Sequence, residues 1–399
     1  MTADVAVRAL PVWRQRLIRL AGGRRDLGPI PVLVGLGVIW TFFWAANPRF
    51  LSAGNLTNLM LQIATLVTIA VGVVLVLLVG EIDLSVAAVS GLAAAAMAVL
   101  NVKHGVAGPL AVAAGLAVGA GVGLVHGFWV TRLRVPSFVV TLAGLLAWRG
   151  ASLYVLGGTG SLTVDDPGIT RLTDSYYPDS AGWAMAAAVL GAGVWLGRRH
   201  GRRRTAAGLD PEPMAIKVLR ALGPAAVVAA AVAVFNADRG LPLIVVLCVA
   251  FVAGFDVLIT RTRFGRHVLA IGGNAEAARR ARIPVERVRL IVFLIGSTMA
   301  AAGGILGASR LLAVNQNSGS DDLLLNVIAA AVIGGTSLFG GRGSAWSALL
   351  GALVIGSISN GMDLLAVSSS VKFVVTGAVL LVAATVDATA RRRVQEQRY

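Results

Sequence analysis

Apolar runs separated by short polar segments order this chain. They fall at 30–45, 59–79, 85–100, 109–130, 138–155, 183–196, 219–235, 241–259, 288–309, 323–339, 345–360 and 371–388. A hydrocarbon core of about 30 Å is crossed by a helix of about 20 residues, and such a helix satisfies its own backbone groups in lipid. The pattern therefore predicts an all-α polytopic membrane protein with about 10–12 transmembrane helices. Gly-rich runs and the short run at 183–196 account for the spread. Residues 29–388 read as one transmembrane domain.

Composition agrees. Of 399 residues, 57% are hydrophobic and 14% charged, with a mean hydropathy of +0.80; soluble chains carry about 25% charged residues. The net charge of +16 does not point to nucleic acid, because the basic residues collect between spans as they do in cytoplasmic loops. With the N-terminus inside, Arg132 and Arg134, the loop Arg198 to Arg204, the loop Arg261 to Arg289, Arg342 and the tail 389–399 all fall in the cytoplasm. The loop 156–182, with Asp165, Asp166, Asp174 and Asp179, falls outside. Residues 1–28 are basic, and Leu10, Trp13, Leu17 and Leu20 share one helical face, which predicts an interfacial helix on the inner leaflet. Cys248 is the single cysteine and the four histidines lack ligand spacing, so no metal site is expected. No nucleophile–base pair is evident, so no catalytic residues are assigned.

One polar stretch, Thr260 to Val288, stands apart. Asn274 suits a helix N-cap, Glu276 suits the positive end of the first turn, and Ala275, Ala277, Ala278 and Ala281 favour helix. Pro284 disfavours helix at Ile283, so a two-turn helix over 274–282 is expected to stop near Arg282. So short a helix is marginal alone and needs a surface to lie against. Two surfaces fit: lipid headgroups meeting Arg263, Arg266, Arg279, Arg280 and Arg282, or a groove on a cytoplasmic partner.

Within the apolar runs, Gly115, Gly119, Gly123 and Gly127 recur at intervals of four, a face that admits a neighbouring backbone. Gly80-Glu-Ile-Asp-Leu-Ser85 interrupts the stretch from Leu59 to Leu100; it is either a tight turn capped by Asp83 or a broken helix lining a path. Charged and polar groups at such depth mark candidate path residues: Glu81, Asp83, Ser85, Arg149, Asn360 and Asp363. Arg149 is a candidate partner for Glu81 or Asp83. Gly335 to Arg342 is glycine-rich but lacks the Lys-Ser/Thr ending of a phosphate loop. If ATP drives the protein, another chain binds it.

Four stretches resemble the permease subunit of ribose/xylose-type sugar ABC importers: Gly80 to Ser85, Thr262 to Ala278, Ile328 to Gly341, and Ser359-Asn-Gly-Met-Asp-Leu-Leu365. Glu81, the segment from Ile355 to Leu365 and the added block near 183–240 resemble the xylose branch. The resemblance implies the type II-like permease fold of ribose and vitamin B12 importers and a homodimer in the bacterial inner membrane. It also implies cytoplasmic ATPase subunits that carry ATP and Mg, and an extracytoplasmic sugar-binding protein that delivers a monosaccharide. No cofactor is expected on this chain. The ATPase-coupling loop would then comprise Arg263, Gly265, Arg266, Gly272, Gly273, Asn274, Glu276, Ala277, Ala278 and Arg282. Two positions depart from the family pattern: Arg282 stands where such loops carry glycine, and Leu324-Leu-Asn326 where members tend to carry acids. An ion-coupled secondary sugar transporter is the alternative, its intramembrane carboxylates carrying protons.

Overall fold

The computed structural model describes residues 30–208 and 214–396; the basic segment 1–28 lies outside them. Fifteen α-helices follow in order: α1 (Ile30–Ala46), α2 (Ala53–Leu78), α3 (Val86–Ala98), α4 (Gly108–Thr131), α5 (Ser137–Leu156), α6 (Pro167–Asp174), α7 (Asp179–Ala206), α8 (Met214–Asn236), α9 (Leu243–Arg261), α10 (Arg263–Gly273), α11 (Ala275–Arg280), α12 (Val285–Leu311), α13 (Asp321–Ile333), α14 (Ala345–Leu364) and α15 (Ser369–Glu396). Among the described residues eight helical segments are long and apolar enough to cross a membrane, and three shorter apolar ones accompany them.

Two expectations change. The run 323–339 is not one continuous helix: α13 has 13 residues, about 20 Å at 1.5 Å per residue, and ends at the turn Gly334–Gly335. The basic run Arg198 to Arg204 is not a loop but the last turns of α7, because arginine is a good helix former that carries the helix past its apolar part. The tail is helical to Glu396.

α12 is the axis of the bundle. The glycine face of α4 lies along it: a Cβ at Gly119 would sit 2.7 Å from the Ser297 carbonyl oxygen, at Gly123 2.6 Å from that of Phe293, and at Gly127 3.1 Å from Leu290 Cα. On its other side Gly296 meets α2, where a Cβ at Gly72 would be 2.9 Å from the Gly296 carbonyl oxygen. Side chains would force these helices apart.

The helices α2–α5 and α12–α15 repeat one plan with inverted direction. Each begins with a long helix, α2 or α12, followed by a 13-residue helix, α3 or α13. Each then has a glycine-bearing helix that crosses to the other half: α4 packs on α12, and α14 packs on α2 through Gly356 against Leu59 and Ile63. A two-stranded antiparallel sheet pairs β1 (Ser161–Thr163) with β4 (Ala313–Asn315), and another pairs β2 (Tyr176–Tyr177) with β3 (Leu241–Pro242). Both lie at one end of the bundle, the strand end; α10 and α11 occupy the other, the loop end. At the strand end Asp166 accepts from the Gly168 amide, Asn101 Nδ2 and the Gly108 amide at 2.7–2.9 Å. These bonds, the one from Gly168 first, hold its carboxyl below the ordinary 3.8.

The glycine face gives a direct test. Gly123→Leu should cost about 1–3 kcal/mol by overpacking and lower the thermal midpoint in detergent. Gly121→Leu, on the same helix with nothing within 4 Å of its Cβ position, should leave the midpoint unchanged.

Candidate functional site

The loop end is built from two short helices. Thr262 caps α10 by accepting from the Gly265 amide at 3.1 Å, and Asn274 caps α11 by accepting from the Ala277 amide at 2.9 Å. The N-cap role read for Asn274 is observed; the helix it caps is shorter than expected, six residues and about 9 Å. It stops before Pro284 acts. The Ile283 amide donates to the Ala278 carbonyl and the Arg282 amide to that of Arg279, the paired bonds of a Schellman turn. That turn puts Arg282 at φ +59°. A left-handed residue here is why glycine suits the position, and the arginine carries strain of about 1–2 kcal/mol.

Of the two surfaces open to this segment, α11 turns Ala278 inward and leaves Glu276, Ala277, Arg279 and Arg280 exposed. Glu276 lies 3.4 Å from Arg280 and 3.8 Å from Arg279, and Arg279 lies 3.6 Å from Glu286. Arg263 and Arg266 are exposed on α10, while Gly265 is buried against the carbonyl of Ile259.

Three of the motif stretches meet at one junction. Gly272 rests on the Leu78 carbonyl at the end of α2, leaving no room for a Cβ. The Gly341 amide donates to the same carbonyl at 3.0 Å. Cβ atoms at Gly340 and Gly341 would lie 2.9 Å from Gly80 Cα and 3.0 Å from Gly273 Cα. Gly340 and Gly341 thus serve close backbone packing. The break 79–85, α10–α11 and the loop before α14 are in backbone contact.

Beyond Gly80 the break is stitched to α5. Ser137 Oγ accepts from the Ile82 amide at 3.3 Å and Thr141 Oγ1 from the Leu84 amide at 3.1 Å. Asp83, 3% exposed, accepts from the Ser85 amide at 2.8 Å and its hydroxyl at 2.6 Å, so it closes the turn into α3. The stretch is a turn closed by Asp83 that separates α2 from α3.

The polar residues singled out in the sequence do not form one cluster. Glu81 pairs with Arg289, Nε to Oε1 2.8 Å, in an ionic contact off the hydrogen-bond direction. Arg149 pairs instead with Asp321 at 3.4 Å, both partly exposed, so the expected link from Arg149 to Glu81 or Asp83 is not made. Asn360 is buried in a reciprocal amide pair with Asn55, at 2.8 and 3.1 Å, joining α14 to α2. Asp363 is exposed and paired with Lys372.

A cavity of about 290 Å³ opens between α2, α3, α12, α13 and α14. Its polar lining includes Gln62, Ser90, Arg310, Asn317, Asn326 and Ser359, and no carboxylate. Its floor is the turn 315–320, whose Gly319 packs on α3 so closely that a Cβ there would lie 2.8 Å from the Gly91 amide nitrogen. A second cavity of about 470 Å³ lies between α13, α14 and α15, lined by Asp322, Lys372, Phe373 and Thr376. Asn326 and Ser359 line both. Sequence reasoning noted Asn326 only as a departure from a family pattern, and missed Gln62, Ser90, Arg310 and Asn317. Each is a lone polar residue, and only the fold brings them together.

A bundle of apolar spans in two inverted halves around a cavity, with exposed basic helices at one end, has the architecture of a multi-pass membrane permease. The chain belongs to the family described as branched-chain amino acid transport system, permease component, which matches residues 55–384. It is a non-catalytic transport component of the inner membrane. The xylose transport system permease protein XylH of Escherichia coli K12 is 39% identical over 361 residues, 90% of this chain and 91% of that protein. The Haemophilus influenzae protein of the same name is 36% identical, covering 91% of this chain and 96% of the relative. The ribose import permease protein RbsC of Bacillus subtilis is 33% identical, covering 94% and 96%. No solved structure matches the chain.

Because strain at Arg282 is local, Arg282→Gly should relieve about 1 kcal/mol and slow amide exchange at Ile283 about fivefold. Arg282→Val, β-branched at positive φ, should speed it.

Proposed function

We propose that this chain is the permease subunit of an ATP-driven importer of D-xylose or a closely related monosaccharide. The ranking of its relatives supports the sugar: identity is 39% to the xylose permease of E. coli and 33% to the ribose permease of B. subtilis, each over about nine-tenths of the chain. The amides and hydroxyls set among the mostly apolar linings of the two cavities, Gln62, Ser90, Asn317, Asn326 and Ser359 among them, suit a hydroxyl-rich substrate, with which they can exchange hydrogen bonds. A carboxylate-borne proton path has less support. Glu81 is committed to Arg289 and no carboxylate lines the central cavity among the described residues.

The energy enters at α10–α11. These helices dock in a groove of a cytoplasmic ATPase subunit that binds ATP and Mg, with Ala277 allowing close approach and Glu276, Arg279 and Arg280 fixing orientation. Motion of the ATPase pair passes through Gly272 to Leu78, Gly80 and Gly341, and so to the break before α3. An extracytoplasmic binding protein delivers the sugar at the strand end, and both termini lie in the cytoplasm. Charged groups in membrane-spanning segments avoid lipid, so the face carrying Arg149, Asp321, Asp322 and Lys372 turns toward an aqueous path shared by two copies in a homodimer.

The observation that carries this reading is the glycine junction, where an exposed docking segment touches the interruption in the bundle directly. The test is co-purification with the candidate ATPase and ATP-dependent xylose uptake in proteoliposomes. Ala277→Glu should abolish co-purification and lower uptake at least tenfold. Wild-type uptake that proceeds without ATP or the ATPase would overturn the proposal.

A further inference from the structure

One face of α5 carries Ser137, Thr141, Gly144 and Trp148, at i, i+4, i+7 and i+11. The first two hold the backbone of the break at Ile82 and Leu84. The last two hold His126 of α4: Trp148 Nε1 donates to His126 Nε2 at 2.9 Å, and a Cβ at Gly144 would lie 2.6 Å from that nitrogen. Glycine at 144 is what lets the imidazole seat against α5. Phe293 of α12 closes the other side, edge-on to the imidazole at 6.5 Å.

His126 is 2% exposed and Asp83 3%. Indole N–H donates and never accepts, so His126 Nε2 must present its lone pair, and the neutral ring carries its proton on Nδ1. That Nδ1–H is buried with no hydrogen-bond partner among the described residues, and so is the second carboxylate oxygen of Asp83, Oδ2. Asp83 lies between Ile82 and Leu84, the two residues whose amides Ser137 and Thr141 hold against α5. A buried donor and a buried acceptor, complementary and each flanked by residues of one face of α5, are left without a hydrogen bond, which costs free energy.

We propose that Asp83 and His126 are positioning residues that form a latch. In the arrangement described here the latch is open; when the loop end moves, His126 Nδ1–H donates to Asp83 Oδ2 and the break before α3 is drawn against α4. Trp148 sets the tautomer that makes this possible, and Gly144 provides the room. The latch converts a displacement at the glycine junction into one of two discrete positions of α3, which lines the central cavity through Ser90 and Gly91. This rests on the reading of the chain as an ATP-driven importer, but its resting half concerns this chain alone.

The test begins with nitrogen NMR of ¹⁵N-histidine protein in bilayers. Four histidines contribute, and His126→Gln identifies the signal of interest. The expected spectrum shows neutral His126 protonated on Nδ1, with that signal moved in the complex trapped with the ATPase and an ATP analogue. The movement should be absent in Asp83→Asn. A proton on Nε2, or the same His126 signal in both states, overturns the latch whether or not the chain is an importer. In uptake assays, Asp83→Asn and His126→Phe should each lower transport at least tenfold while co-purification and ATP hydrolysis persist. The double variant should be no worse than either alone. His126→Gln, which keeps an acceptor for Trp148 and a donor for Asp83, should restore most of the uptake and shows that the site tolerates substitution. Losses that multiply in the double variant, or wild-type uptake by His126→Phe, contradict the proposal.

Discussion

The structure depends on backbone-to-backbone contact between helices that have no hydrophobic reason to associate in lipid. Lipid tails are as apolar as leucine, so attraction between spans rests on close packing and polar contacts. α12 meets that requirement on two sides at once: α4 lays a row of glycines along it, and α2 crosses it at Gly72 and Gly296. With α12 fixed, the two inverted halves interlock: α3 packs on α12, and α13 packs on α2.

The same device recurs where the bundle meets its loop end. Gly80, Gly272, Gly340 and Gly341 come from segments that are far apart in the chain, yet their backbones touch. Backbone contact is stiff in a way that flexible side chains are not. A push on α10–α11 therefore reaches the end of α2 with little loss, which is what a docking segment needs if it is to move the spans above it. The hydrogen bonds from Ser137 and Thr141 continue that connection to α5.

Much of this was legible in the sequence, and the rest was hidden for definite reasons. Asn274 could be read as a cap because capping is local: its oxygen reaches an amide three residues on. The glycine face of α4 could be read because its period is that of a helix. The end of α11 was misjudged by two residues because Pro284 is visible in sequence, whereas the Schellman turn at Arg282 is set by backbone geometry. The helix break within the run 323–339 was hidden because the run stays largely apolar up to the turn at Gly334–Gly335, where Gly334 packs on Ser347. The ion pairs were out of reach for another reason. Arg149 meets Asp321 from 172 positions away, and Glu81 meets an arginine at the start of α12, so nothing local distinguishes these partners from other charges.

The most direct test of the account is simultaneous measurement of ATP hydrolysis and sugar uptake in proteoliposomes holding the Gly272→Ala protein with its ATPase. A Cβ at 272 would strike the Leu78 carbonyl, leaving the exposed docking face untouched while wedging the junction open. The account predicts that the ATPase still binds and hydrolyses ATP, and that uptake per ATP falls at least tenfold. Uptake that keeps the wild-type ratio to hydrolysis would contradict it.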